Sequence, residues 1–496
     1  MKRRLRGLVV LGIVLAAWGL VSLPLYSVLL GVEFKLQDAW LRGSPRREPV
    51  PAIAVVAIDS ASEDALGRWP WPRSTHARLI DRLTAAGARA IVFDVSFSRQ
   101  TEAAEDSALI AACRRSGRVV VARSVTYDGQ EFQLDTLVAG LDQVATVGLA
   151  SVRPDSDGML RRIDLTPLDH RAEHWALCVR ALQVFTGQEF RPAVFGHDLE
   201  ALLGETRIPV FTRVGISQNV LVLNFPGRGF PTFSYADVLE GKVPDSEFKN
   251  RLVLIGSTGD PLDRFRVPRG SDGRPDPSMP GVLAAHGTAI DTILSGNFLR
   301  WGEWELGPRV HLTLTMLLFW IMLPLMAVLF LVLVPRLKVP QSLALGAVLT
   351  ALLLGASWAA FQRQVLIPVV HPITILWLSM AGVLVYDTHR SRRALAQFMP
   401  SHDVEAMIRA PDLQKEKQET LVCTILFVDL RDYTTLSEGR TPEEVRQLVD
   451  RFHTAVGEVV QKHGGYVCDF QGDAQMVAFG LNNRSGHEAA AMRAAQ

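Results

Sequence analysis

Apolar residues along this chain fall into two regimes. At four places they run unbroken for long stretches: 7–30, 310–334, 339–361 and 364–386, none of which holds Asp, Glu, Lys or Arg. About 20 such residues cross a bilayer core as a helix, so four transmembrane helices are expected. The first run follows Lys2, Arg3, Arg4 and Arg6. It is longer than the ~7–15 apolar residues of a signal peptide and shows no small-residue cleavage site, so an uncleaved anchor is expected. Pro324, Pro368 and Pro372 lie within these runs; neighbouring helices can satisfy the backbone groups that proline frees.

Elsewhere the pattern is short and periodic. Residues 53–59, 89–97, 119–122, 220–225 and 251–256 read as buried strands, and 74–86, a stretch reaching Cys113, and 281–294 read as helices. Strands separated by helices of this length predict an α/β domain with parallel pairs. Towards the C-terminus, 420–428 is an apolar strand ending at Asp429. A helix at 442–460 presents Val445, Leu448, Val449, Phe452, Val456 and Val459 on one face. Residues 466–470 and 474–480 are two strands around a tight Gln471, Gly472, Asp473 turn.

Charge fixes orientation. Basic residues cluster at the N-terminus, in the 335–338 loop (Arg336, Lys338) and after the last run (Arg390, Arg392, Arg393), whereas the 362–364 loop holds only Arg363. By the excess of basic residues on cytoplasmic flanks, both termini are cytoplasmic and 31–309 is extracytoplasmic. His311 and His371, near span ends, read as interfacial. With 52 Lys and Arg against 51 Asp and Glu, the net charge of +1 gives no reason for a nucleic-acid partner. Four cysteines are no disulfide scaffold, although Cys113 and Cys178 would share an oxidising compartment, and their pairing is left open.

Several motifs of the outer segment occur in a defined order. They are Trp69, Pro70, Trp71, Pro72, Arg73; Phe93, Asp94; Asp155, Ser156, Asp157, Gly158 before Arg161 and Arg162; Ile255, Gly256, Ser257, Thr258; and Met279, Pro280, Gly281, Val282 leading to His286. In order and spacing they resemble the CHASE2 family of extracytoplasmic sensors, which implies a ligand of unknown identity. Trp69, Trp71, Arg73 and Asp157 are the candidate sensor residues. The plainer readings are a rigid turn for the Trp-Pro pairs, an Asx turn for Asp155–Gly158, and a strand-to-loop turn rather than an anion cradle at Gly256–Gly259.

Residues 392–408 resemble the adapter that joins membrane sensors to cyclases, with Phe398, Pro400 and Val404 in place, and 412–419 is a polar linker. From 419 onward the order of strands, helices and carboxylates resembles class III adenylate/guanylate cyclases. The resemblance implies an α+β (ferredoxin-like) domain that acts as a homodimer through the cyclase domain and adapter. Two ions, Mg²⁺ or Mn²⁺, would be held by Asp429, the Leu430 carbonyl and Asp473, because hard divalent ions prefer carboxylate and phosphate oxygen. Asp432, Tyr433, Thr434 and Thr435 would receive the phosphates of ATP or GTP. Asp432 stands where the family usually has Gly. Asp469 stands at the base-reading position, where an acceptor-only carboxylate leans toward guanine.

The expected organisation is therefore a cytoplasmic flank and first span (1–30), a sensor (31–309), three further spans (310–386), an adapter and linker (387–418), and the first part of a cyclase domain (419–496). The whole reads as a multi-pass receptor cyclase of a bacterial cell membrane, making a 3′,5′-cyclic nucleotide and pyrophosphate from ATP or, alternatively, GTP. Because the family's second base reader and its Asn and Arg lie beyond Gln496, the chain alone is expected to be inactive. The competing class is a sensor or dimerisation protein whose partial cyclase segment only binds metal or nucleotide.

Overall fold

The computed structural model describes residues 2–22, 25–98, 100–127, 132–167, 171, 174–194, 200–213, 217–260, 263–301, 303–305, 311–313, 337, 339–395, 421–481 and 485–496. They form two compact units, 14–376 and 1–13 with 377–496.

The larger unit is built on a parallel sheet. Its strands are β1 (Ile53–Ile58), β2 (Ala90–Ser96), β3 (Val119–Arg123), β4 (Thr146–Leu149), β5 (Thr232–Ser234) and β6 (Leu252–Ser257), in the order β5-β1-β6-β2-β3-β4. Every neighbouring pair is parallel. Such sheets are covered on both faces, so their strands read as continuous apolar runs. Accordingly all six residues of β1 are buried, with Ile53 and Val55 in one core cluster and Ala54, Val56 and Ile58 in the other.

Helices close both faces. On one lie α1 (Arg73–Ala85) and α2 (Ala103–Ser116), which supply Leu79, Ile80, Leu83 and Leu109. On the other lie α3 (Leu177–Thr186) and α4 (Thr288–Ser295), which supply Leu182 and Ile290. Glu105 of α2 accepts from the Ser74 N–H (2.6 Å), so the start of α1 is capped from its neighbour. A one-turn π-helix, Val282–Gly287, leads directly into α4.

One expected strand pairs elsewhere. The Val/Leu-rich stretch at 220–225 corresponds to a strand at Ser217–Val222, but this pairs antiparallel with Arg162–Asp164 in a separate three-stranded sheet. Apolar periodicity identifies a strand without naming its partner. Cys113 and Cys178 are both free, buried in the clusters on opposite faces of the sheet, where burial pushes each thiol up to about 12.

The long apolar runs differ in outcome. Val339–Phe361 is a helix with the expected bounds and is the one described helix long and apolar enough to cross a membrane. The N-terminal run is divided between helices Lys2–Ser22 and Tyr26–Gly43, and Pro24 stands in the sequence between them. The last run is not helical throughout: Val365–Leu366 is a strand paired with Arg300–Trp301, and the helix spans Val370–Leu395. Buried Glu33 accepts from the N–H groups of Val369 and Val370, both at 2.9 Å, and so caps that helix. His311–Thr313, the start of the second run, pairs as a strand with Glu303–Glu305, while 314–336 lie outside the described residues. Most of the adapter and linker, 396–420, lies outside them too.

In the smaller unit, β7 (Thr424–Val428), β8 (Tyr466–Gln471) and β9 (Ala474–Phe479) form an antiparallel sheet in the order β7-β9-β8. Helix α5 (Pro442–Lys462) opens with a capping box between Thr441 and Glu444 and with Pro442 in its first turn. Its Val460 packs with Val467, Val477 and Phe479 and with Ala491 of α6 (His487–Ala495).

Candidate functional site

In the smaller unit, antiparallel pairing brings two carboxylates to one end of the sheet. Val428, the last residue of β7, pairs with Gln475 of β9. Asp429 therefore follows β7 at the end where the β8–β9 turn carries Asp473. Asp429 Oδ1 accepts from the Leu430 N–H at 2.9 Å, and Asp429 is exposed. Among the described residues no group of three or more His, Cys, Asp or Glu could hold a metal by itself. Two carboxylates and a main-chain carbonyl fit an ion whose remaining ligands are water or phosphate oxygens, the manner in which Mg²⁺ is commonly held.

After Asp429 the chain turns at Asp432 into a short helix, Tyr433–Ser437. Asp432 has φ +58°, in the left-handed region that glycine adopts without penalty. The physical demand behind a glycine at this position is thus present, and Asp meets it as one of the more tolerant residues. Tyr433, Thr434 and Thr435 begin this helix, where backbone N–H groups lack intrahelical partners. Asp469 lies on β8 beside a register shift, exposed, and accepts from the Phe470 N–H at 2.8 Å.

Three of the four sensor candidates, Trp69, Trp71 and Arg73, line one cavity, and Asp157 lies elsewhere. Asp157 belongs to a buried ion network: Arg161 bonds to it at 2.9 Å, to Asp155 at 3.0 Å and to Asp38 at 2.8 Å. The Asp155–Gly158 stretch is indeed a turn, closed by Gly158 N–H to Asp155 O at 2.8 Å. Trp71 is 5% exposed, donates to Gly67 O at 2.7 Å and packs on Tyr235, with ring centroids 4.7 Å apart. With Trp71, Trp69 and Arg73 line the wall of a cavity, with Arg73 paired to Asp106 at 3.0 Å and over the Phe97 ring.

That cavity, about 1000 Å³, opens at the carboxyl ends of β1, β2, β3 and β6. Ligands of open parallel α/β sheets bind at this edge. Asp94 ends the buried part of β2, with its side chain 10% exposed. Burial pushes its carboxyl up to about 7. Burial, then Asp94, pushes Asp263 up to about 6. His286, on the π turn, is 2% exposed, with Nε2 3.8 Å from Asp94 Oδ1, while Nδ1 is buried without a hydrogen-bond partner. Burial holds its imidazole down to about 4.

Two glycines allow this convergence. A Cβ on Gly281 would lie 2.2 Å from Asp263 Oδ1, and one on Gly256 would lie 2.9 Å from Val282. Gly256, within β6, is therefore a close-approach point beside Val282 and Asp94. Asp94 and His286 are visible in the motifs, but their meeting with Asp263 depends on the sheet order.

Comparison with known proteins agrees with both units. The CHASE2 domain model matches residues 10–327, and the adenylate and guanylate cyclase catalytic domain model matches 415–496. Retinal guanylyl cyclase 1 of Bos taurus is 32% identical over 108 residues, 22% of this chain and 10% of that protein. Adenylate cyclase 1 of Rhizobium meliloti (strain 1021) is 43% identical over 51 residues, 10% of this chain and 8% of that protein. The chain thus spans about a tenth of the length of these relatives.

Proposed function

Because this chain belongs to the CHASE2 domain family and carries an adenylate and guanylate cyclase catalytic segment behind that domain, we propose that it is a transmembrane receptor nucleotide cyclase. Its sensor would face away from the cytoplasm, and four spans at 7–30, 310–334, 339–361 and 364–386 would carry the signal inward. The basic flanks of the sequence and the apolar helix Val339–Phe361 support this topology.

The observation that carries the cyclase reading is the placement of Asp429 and Asp473 at one end of the β7-β9-β8 sheet. In this reading Asp429, the Leu430 carbonyl and Asp473 hold two Mg²⁺ or Mn²⁺ ions. When bound, such ions lower the pKa of the attacking ribose hydroxyl and neutralise charge on the phosphates. The chain's own task is to fix the triphosphate. The N–H groups at the start of the Tyr433–Ser437 helix donate to phosphate oxygens, and Asp469 accepts from the edge of the base. Substrate is a nucleoside triphosphate, ATP or GTP, and a second copy completes the site.

Asp473→Asn in the active receptor tests this. Cyclic nucleotide formation should fall by about 10² or more, since a charged ligand becomes neutral, while expression and membrane insertion stay normal. Near-normal turnover would remove Asp473 from the metal site.

A second reading, a pairing module, draws on one observation. Ile425 and Phe427 of β7 are 53% and 65% exposed, on the face of the sheet away from α5. An uncovered apolar sheet face of this kind marks an interaction surface. The two readings separate on turnover, which only the first requires.

A further inference from the structure

We infer that the cavity at the carboxyl edge of the sensor sheet is a receptor site for a small organic ammonium ion. The inference deepens the sensor reading given above and rests on it.

Charge is the first argument. Asp94 and Asp263 lie on the cavity wall; among the described residues no Lys or Arg forms an ion pair with either, and the charge of Arg264 acts on Asp263 less than burial and Asp94 do. His286, with Nε2 3.8 Å from Asp94, is buried, and burial keeps it neutral at ordinary pH. Arg73, which also lines the cavity, is already joined to Asp106 and lies over the Phe97 ring. Buried carboxylates without a counter-charge are costly, and a cation entering the cavity would relieve that cost. Burial raises the carboxyls of both Asp94 and Asp263 for the same reason.

Unmet hydrogen bonding is the second argument, independent of charge. Nδ1 of His286 and Oγ of Ser96 are buried without a hydrogen bond of normal length, with the Ala150 main chain beside the His286 ring, and both residues line this cavity. A neutral imidazole nitrogen and a hydroxyl oxygen can both accept from an ammonium N–H.

Shape selects among cations. Among the described residues no His, Cys, Asp and Glu group of three is arranged to hold a metal ion. The volume of about 1000 Å³ is that of an organic ligand. The walls present Trp69, Phe97 and Phe265, and aromatic faces attract alkylammonium groups. A lining that holds both carboxylates and aromatic rings fits an amine with an apolar body.

The full chain, purified in lipid nanodiscs, is titrated with n-butylammonium, 1,4-diaminobutane and choline, and in parallel with n-butanol and Mg²⁺. Tryptophan fluorescence and thermal midpoint are followed. At least one ammonium probe should give saturable changes and a raised midpoint, and n-butanol and Mg²⁺ should give neither. Asp94→Asn and Asp263→Asn should each weaken that binding about tenfold or more, and Arg115→Ala, on an exposed surface, should leave it unchanged. Should Asp94→Asn fail to fold, Asp263→Asn and the probe series decide. Equal responses to n-butanol, saturation by Mg²⁺ alone, or no saturation by any ammonium probe would overturn the inference. Binding here requires no cyclase turnover, so such a failure would leave the cyclase reading intact.

Discussion

Arg161 grips Asp38 with two parallel hydrogen bonds, Nε to Oδ1 and Nη2 to Oδ2, each 2.8 Å long, across 123 residues of sequence. Asp38 lies on the Tyr26–Gly43 helix, and Arg161 follows the Asp155–Gly158 turn of the sensor. Both side chains are under 10% exposed. The pair therefore ties the helix entering the sensor to its interior. Asp38→Asn should destabilise the sensor by about 1–3 kcal/mol, because one buried carboxylate partner of Arg161 is lost while Asp155 and Asp157 remain. Asp157→Asn should cost less, since that carboxylate is 31% exposed. Denaturant midpoints of both variants check the order, and a larger loss from Asp157→Asn would contradict it.

Asp432 carries the second prediction. Its φ of +58° is a conformation that glycine adopts freely and alanine does not. Asp432→Ala should loosen the Tyr433–Ser437 turn at a cost of about 1 kcal/mol, and Asp432→Gly should not. Glycine also removes a negative charge beside the proposed phosphate site, so it should lower KM for the triphosphate with little change in kcat. Hydrogen exchange across 424–437 and steady-state kinetics measure the two effects. Equal behaviour of the two variants would show that backbone conformation does not limit this turn.

Base preference is a separate question. On the proposed cyclase reading, Asp469→Lys should shift the kcat/KM ratio toward ATP by about 1–3 kcal/mol, the scale of one good bidentate base contact. The reversal follows from chemistry: carboxylate accepts from guanine N1–H and N2–H, whereas ammonium donates to adenine N1. An unchanged ratio would place Asp469 outside the base pocket.

How much could be read from the sequence follows from the kind of interaction involved. The strands of the sensor sheet were legible because burial on both faces makes them continuous apolar runs, as in all six residues of β1. Asp429 and Asp473 were legible because each is fixed by its own strand or turn. The Tyr26–Gly43 helix was not, because an apolar run shows length but not where one helix ends and the next begins. The strand at Val365–Leu366 was hidden for the same reason, its identity depending on Arg300–Trp301. The cavity was least legible. Asp94, Asp263 and His286 stand far apart in sequence, and only the β5-β1-β6-β2-β3-β4 order brings them together.

The last prediction concerns pH and the sensor fold. Asp94 titrates at about 7 in the folded chain, well above an ordinary carboxylate, and Asp263 at about 6. A folded state that keeps its proton longer than the unfolded chain is most favoured at low pH, and loses that advantage as pH rises from about 4 through about 7. His76 and His286 act oppositely. Burial holds both down to about 4, so they favour the folded state increasingly as pH rises from about 4 to about 6.5. In the native protein the two trends offset, and stability should vary little across this window. Asp94→Asn removes the largest falling contribution and leaves the histidines less opposed. Its stability relative to the native protein should therefore climb between about pH 4 and pH 7, by on the order of 2–4 kcal/mol. Denaturant unfolding of both proteins at several pH values gives the difference directly. A difference that shrinks as pH rises would mean that Asp94 is an ionised, paired carboxylate, and would reverse the electrostatic picture of the cavity floor.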